Sequence, residues 1–199
     1  MRGVGGIAGV DEAGRGSLAG PVVAAAVILP PGAMLPGLTD SKLLTAMVRS
    51  RLAEAIQAVA TTWAVARVEA AEIDSTDILR ATLRAMTEAV EKLSPLPRLV
   101  LVDGITVPRL PMPALAIVQG DRHVPAISAA SILAKVARDR IMEDWAIQFP
   151  AYGFAQHKGY GTAAHRAAIV HYGPSPVHRR TFAGVREYAC DAVSQPRLW

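Results

Sequence analysis

The chain has 199 residues, 51% hydrophobic and 19% charged, which is enough apolar material for one domain with or without a small appendage and too much for a disordered polymer. No apolar run reaches the roughly 18 residues of a membrane span, and the opening "MRGVGGIAGVDEAG" has neither the apolar segment nor the cleavage site of a secretory signal. The net charge of +4 is carried by the tail, since residues 157–199 hold six basic and two acidic side chains while residues 1–156 hold 15 of each sign.

Along the chain, "GIAGVDE" reads as a strand that ends at its two acids. "GPVVAAAVIL" reads as a second strand, closed by Pro30, Pro31 and Gly32. Asp40 or Ser41 can cap a helix over about residues 43–59. "TTWAVARVEA" alternates well enough for a third strand. Asp74 or Ser75 can cap the next helix, whose apolar stripe is Leu79, Leu83, Met86 and Val90. "RLVLVDG" and "ALAIVQGD" are short strands, each with an acid at its end. A long helix follows from Pro125 to about Ile147, then a loop-like "FPAYGFAQHKGYGT", then further helices around 163–171 and near Val185. Two strands in close succession leave no room for a crossover helix between them, so the expectation is an α/β fold with a mixed sheet.

Three expected strand ends carry carboxylates: Asp11 with Glu12, Asp103, and Asp121. A lone buried carboxylate is costly or neutralises itself by a pKa shift. A shared divalent cation would offset all of them, and two such ions can activate water and stabilise the leaving oxygen of a phosphodiester. Each acid also has an ordinary reading as cap, turn former or ion-pair partner, and Asp121 can cap the helix after it. Neighbouring residues of a regular strand face opposite sides. Asp11 and Glu12 therefore reach one site only if the strand ends or bulges there; otherwise one of the two is structural.

"GRGSLAG" has the look of a dinucleotide loop, but the spacing to Gly20 is wrong and the apolar "PVVAAAVIL" follows instead of a helix. The glycines fit a close backbone approach to a ligand, with Arg15 available for a phosphate. The basic tail can cradle a polyanion or be a solvated helix surface.

Taken together, "GVDEAGRGSLAGPVVAAAVIL", "DSK" at 40–42, "LVDG" at 101–104, "GDRHVPAISAASILAKVARDR" at 120–140 and "YGFAQHKGYGT" at 152–162 resemble bacterial ribonuclease HII. The blocks stand in that family's order from about Ile7 to Phe182. The resemblance implies an RNase H-like mixed sheet flanked by helices: a catalytic domain over residues 1–150 and a small C-terminal helical, substrate-binding region over 151–199. It implies a cytoplasmic, monomeric hydrolase that cuts the RNA strand of RNA–DNA hybrids and cuts 5′ of single ribonucleotides in duplex DNA, serving replication and repair, without a membrane. It places the catalytic, metal-binding acids on Asp11, Glu12, Asp103 and Asp121, with two Mg²⁺ or Mn²⁺ ions. It also places a 2′-hydroxyl reader on Gly14, Arg15 and Gly16, a sugar-stacking ring on Tyr160, and substrate-facing cations on Lys42 and Lys158. Ile105 departs from the Asn that many relatives have after the Asp-Gly pair.

Other polar residues have plainer expectations. Ser128 and Ser131 suit packing or local bonding rather than nucleophilic attack. His157, His165, His171 and His178 suit surface or phosphate-facing roles, with His157 and His178-Arg179-Arg180 near backbone phosphate. Lys135, Arg138 and Asp139 suit an exposed helix face. Glu72 and Asp74 suit capping, and Trp63, Trp145 and the lone Cys190 suit the core, with a single cysteine pointing to a reducing compartment.

Overall fold

A computed structural model describes residues 5–38 and 45–189. Five strands form one mixed sheet: β1 (Ile7–Ala13), β2 (Val22–Ile28), β3 (Thr62–Val68), β4 (Leu99–Asp103) and β5 (Ala114–Ile117), in the order β3-β2-β1-β4-β5. β2 runs antiparallel to both β1 and β3, and β4 joins β1 and β5 in parallel. All seven residues of β2 are buried, which explains its continuous apolar run.

The helices are α1 (Ala46–Val59), α2 (Ala70–Ser75), α3 (Ile78–Glu91), α4 (Gly120–His123), α5 (Pro125–Gln148), α6 (Phe154–His157) and α7 (Ala163–Tyr172). One face of the sheet packs Ala8, Val10, Ala24 and Ala26 against Ala81, Ala85, Met86 and Ala89 of α3. The other packs Ala25 and Val27 against α1 and the middle of α5. A side chain at Gly9 would lie 2.1 Å from the Ala126 backbone, so α5 crosses β1 at a distance only glycine permits. The segments after α5 return to the turn between β1 and β2. They pack there through Ala19, Met142, Tyr152 and Phe154 and through Leu18, Ile169 and Val185. Among the described residues, no helix is long and apolar enough to cross a membrane.

Several sequence expectations shift. α1 begins at Ala46, where the Thr45 hydroxyl accepts the Val48 N–H at 3.3 Å; Asp40 and Ser41 lie outside the described residues. α3 is capped by Asp77, which accepts the Arg80 N–H at 2.8 Å, because Asp74 and Ser75 end the short α2 before it. Leu79 is exposed, and the alanines of α3 make the contact instead. Trp63 stands on the edge strand, 39% exposed, while Trp145 does pack into the core. The "FPAYGFAQH" stretch holds a 3-10 turn at Pro150–Tyr152 and α6 rather than an open loop. Cys190 lies outside the described residues.

Candidate active site

β1 does not end or bulge at its acids. It keeps regular pairing with β2 through Asp11↔Ala25, Glu12↔Ala24 and Ala13↔Val23. Asp11 therefore faces α5 and Glu12 faces α3, on opposite sides of the sheet. Pairing with β4, however, stops at Val10↔Val102. Beyond that point β1 runs past the end of β4, and both carboxylates border the same open cleft of about 620 Å³. The sheet edge, and not a bulge, lets two adjacent acids share a site.

Asp103 closes β4 and also lines this cleft. Counting on from the Gly9↔Leu101 pair sets it beside Asp11 on the same face. Asp121 does not sit at a strand end. β5 stops at Ile117, and Asp121 lies in the first turn of α4 after Gln119 takes a left-handed φ of 55°. Nor does Asp121 cap the following helix, whose N-cap is Val124 with no side-chain cap. Its backbone N–H donates to Asp103 Oδ1 at 3.4 Å. Carboxylate oxygens of Asp11, Asp103 and Asp121 lie within 4.8 Å of one another. Glu12 is outside that trio.

Two serines of α5 hold the cluster. Ser131 hydrogen-bonds the Asp11 side chain, and the Ser128 hydroxyl donates to the Asp121 carbonyl. Ser128 bonds seven residues back along the chain, as local bonding implies, whereas Ser131 serves a residue distant in sequence, which that expectation missed. Burial, and then the Glu12 and Asp103 charges, push Asp11 well above the usual carboxylate range. Burial raises Glu12 as well, although Arg15, 3.5 Å away, opposes that shift. Half-sequestered like charges of this kind call for a countercharge, and an all-oxygen donor set suits a hard divalent cation.

The turn behind the acids borders the cleft through Gly14, Arg15 and Gly16. Gly14 has φ +93°, and nothing lies within 4 Å of a side chain built on Gly16. Tyr160 faces the same cleft, its ring 5.7 Å from Lys135 Nζ. Lys158 instead lines an adjoining groove, with its ammonium 2.8 Å from Glu143. Lys42 lies outside the described residues. Ile105 is 85% exposed on the loop past Asp103 and lines a pocket with Glu12 and Asp103.

Arg138 and Arg179 do not face solvent or phosphate: both are fully buried. Arg138 does follow a readable signal, since Ile127, Ser131, Ala134, Arg138 and Met142 form one buried stripe of α5. His165 and His178 are buried too, with their Nε2 atoms 3.0 Å apart, and His157 stacks on His165 at 4.3 Å. Of the four tail histidines, only His171 keeps the expected surface position. Asp74 caps nothing; it accepts the backbone N–H groups of Arg180 and Thr181 at 2.7 and 3.0 Å.

The ribonuclease HII family model matches residues 8–185. The chain belongs to the ribonuclease HII family. It is 57% identical to ribonuclease HII of Bordetella avium, over 94% of this chain and 93% of that one. It is 54% identical to that of Syntrophotalea carbinolica, over 92% and 87%. Its fold is similar to the crystal structure of ribonuclease H2 from Pyrococcus horikoshii, with a TM-score of 0.80 at 26% identity over 95% of this chain and 99% of that one. As a ribonuclease HII, the chain is an endonuclease of the ribonuclease H type 2 class, a hydrolase whose family acts on RNA paired with DNA. The RNase H-like mixed sheet expected from the sequence is the fold observed.

Proposed function

We propose that this ribonuclease HII cuts on the 5′ side of a ribonucleotide, including a single one embedded in duplex DNA, and leaves 5′-phosphate and 3′-hydroxyl ends. The observation that carries the reading is the meeting, in one cleft, of the carboxylates with a backbone turn stripped of side chains at Gly14 and Gly16. The 2′-hydroxyl is the group that separates RNA from DNA, and backbone groups reach it only where no side chain stands between.

Asp11, Asp103 and Asp121 would hold a divalent cation, with Glu12 across the sheet edge completing the set for a second. Mg²⁺ or Mn²⁺ bound there supplies Lewis-acid stabilisation of phosphoryl oxygens and a more acidic water. The chain's own groups do the rest. Ser131 fixes the Asp11 carboxylate, and the Asp121 N–H fixes that of Asp103. Residues 14–16 meet the ribose, and Tyr160 lies against the sugar that follows. Arg15, Lys42 and Lys158 address phosphates, for which Lys158 exchanges Glu143 for substrate. Attack is by water, in line, so no covalent enzyme intermediate forms. The chain is proposed to act on the duplex as a monomer. Residues 1–150 supply the acids, and the region from 151 onward supplies Tyr160 and Lys158, which supports their division into catalytic and substrate-binding parts.

The test is a labelled DNA duplex with one embedded ribonucleotide, incubated with Mg²⁺, with Mn²⁺ and with EDTA, beside an all-DNA duplex. The expected result is one cut 5′ of the ribonucleotide, dependent on metal and absent from all-DNA. No cut by folded protein, or equal cutting of the all-DNA duplex, overturns the reading.

A further inference from the structure

The turn between β1 and β2 is built around two cations that the chemistry above does not use. Arg179 Nη2 and Nη1 donate to the carbonyls of Gly14 and Arg15 at 2.7 and 2.8 Å, and its Nε donates to the Gly20 carbonyl at 2.9 Å. Arg138 donates to the carbonyls of Pro21, Ala19 and Lys158 at 3.1, 3.1 and 2.9 Å. Its guanidinium lies 5.4 Å from the centre of the Tyr160 ring. A side chain at Gly14 would meet Arg138 Nε at 2.0 Å, so Arg138 packs directly beneath that glycine. All six bonds go to backbone oxygens, and among the described residues neither guanidinium has a carboxylate within ion-pair distance.

Two buried, like-charged guanidiniums are an expensive way merely to close a turn, because each ion loses its hydration. Burial, together with the Arg138 charge, pushes Arg179 down to about 9, which leaves it cationic at neutral pH. A planar fork, unlike a lone ammonium or hydroxyl, fixes several acceptors in one orientation. The orientation matters because a trans peptide points its N–H opposite to its C=O. With the carbonyls of Gly14 and Arg15 drawn inward onto Arg179, the N–H groups of Arg15 and Gly16 point the other way, to the side occupied by the cleft.

We propose that Arg179, with Arg138 beside it, is a positioning residue for ribonucleotide recognition: the pair aims the Arg15 and Gly16 N–H groups at the sugar hydroxyl and locks the Tyr160 segment to the same turn. This rests on residues 14–16 being the part that meets the 2′-hydroxyl. Neither arginine touches substrate; each acts through backbone that does.

The experiment uses the full chain carrying Asp103→Asn, which holds substrate without turning it over. Binding of a labelled duplex with one ribonucleotide is competed, in Mg²⁺, by the same duplex with or without that ribonucleotide. The readout is the ratio of the two affinities. Adding Arg179→Lys, which keeps the charge and loses the fork, is expected to shrink the ratio about tenfold while affinity for all-DNA stays the same. Arg138→Lys is expected to shrink it in the same direction. A purely structural role would lower the melting temperature and leave the ratio intact, and an unchanged ratio in folded Arg179→Lys overturns the proposal. So does failure of both lysine variants to fold, which would make the arginines fold-maintaining. Gly16→Ala separates the two readings, since its methyl enters open space. If Gly16→Ala loses the ratio and Arg179→Lys keeps it, only the role of the arginines falls. If Gly16→Ala keeps it, the reading of the turn falls, and the proposal with it.

Discussion

Ser131 and Asp103 both serve the carboxylate cluster, one by holding a ligand and the other by being one. Replacing a group that orients a metal ligand usually reduces activity about 10–100-fold, and Ser131→Ala is expected to fall in that range, with its metal requirement shifted to higher concentration. Asp103→Asn is expected to bring cleavage below detection at unchanged circular dichroism. A Ser131→Ala enzyme as active as the parent at limiting Mg²⁺ would remove Ser131 from the site. The acids were readable because carboxylates next to apolar runs need a partner. Ser131 was not, since a serine in an alanine-rich helix is ordinary and its partner lies far along the chain. Arg138 was readable in principle from its place on the buried stripe of α5, whereas nothing around Arg179 in the sequence marks it as interior.

At the level of elements, the five strands and the mixed sheet came through because periodicity and buried apolar runs speak directly to local structure. Where β1 stops did not, because the outcome depends on β4 ending first, a fact about the partner strand. The start of α1 and the cap of α3 moved for a related reason: more than one Asp, Ser or Thr was available to cap each helix. α5 passes close over β1 at Gly9, where an added methyl would lie 2.1–2.4 Å from the Ala126 and Ile127 backbone. A side chain can step aside, but a helix backbone cannot. Gly9→Ala is therefore expected to destabilise the protein by about 3 kcal/mol, at the upper end of overpacking costs, read as a lower urea midpoint at constant m-value. Gly16→Ala, in open space, is the matched control and should leave the midpoint in place.

Across the whole molecule, His165, His178 and Arg179 of the tail turn inward and become part of the core, while Arg166, Arg180 and Arg186 stay on the surface. The two buried histidines make stability depend on pH. Burial depresses His165 to about 4 and His178 to about 3, from an ordinary value of 6.5. The unfolded chain thus binds more protons than the folded one between those values, so these groups stabilise fully above pH 6.5 and progressively less as the pH falls toward 4. Asp11 and Glu12, raised by burial, run in the opposite direction, so the histidine contribution is read by difference. On going from pH 7 to pH 5, the melting temperature of the parent is expected to fall further than that of His178→Gln, which carries no titrating ring there; equal slopes would show that the ring does not report on folding. The placement of Arg179 has one more consequence. It holds the carbonyls of Gly14 and Arg15 from 165 and 164 positions away. Chains fold from the N-terminal end as they are made, so the sheet can assemble while the turn beside its acids is still unbraced. A nuclease made only as far as α5 would then already have its carboxylates but would lack the group that aims the turn beside them, and recognition of the sugar would come only once Arg179 has been added.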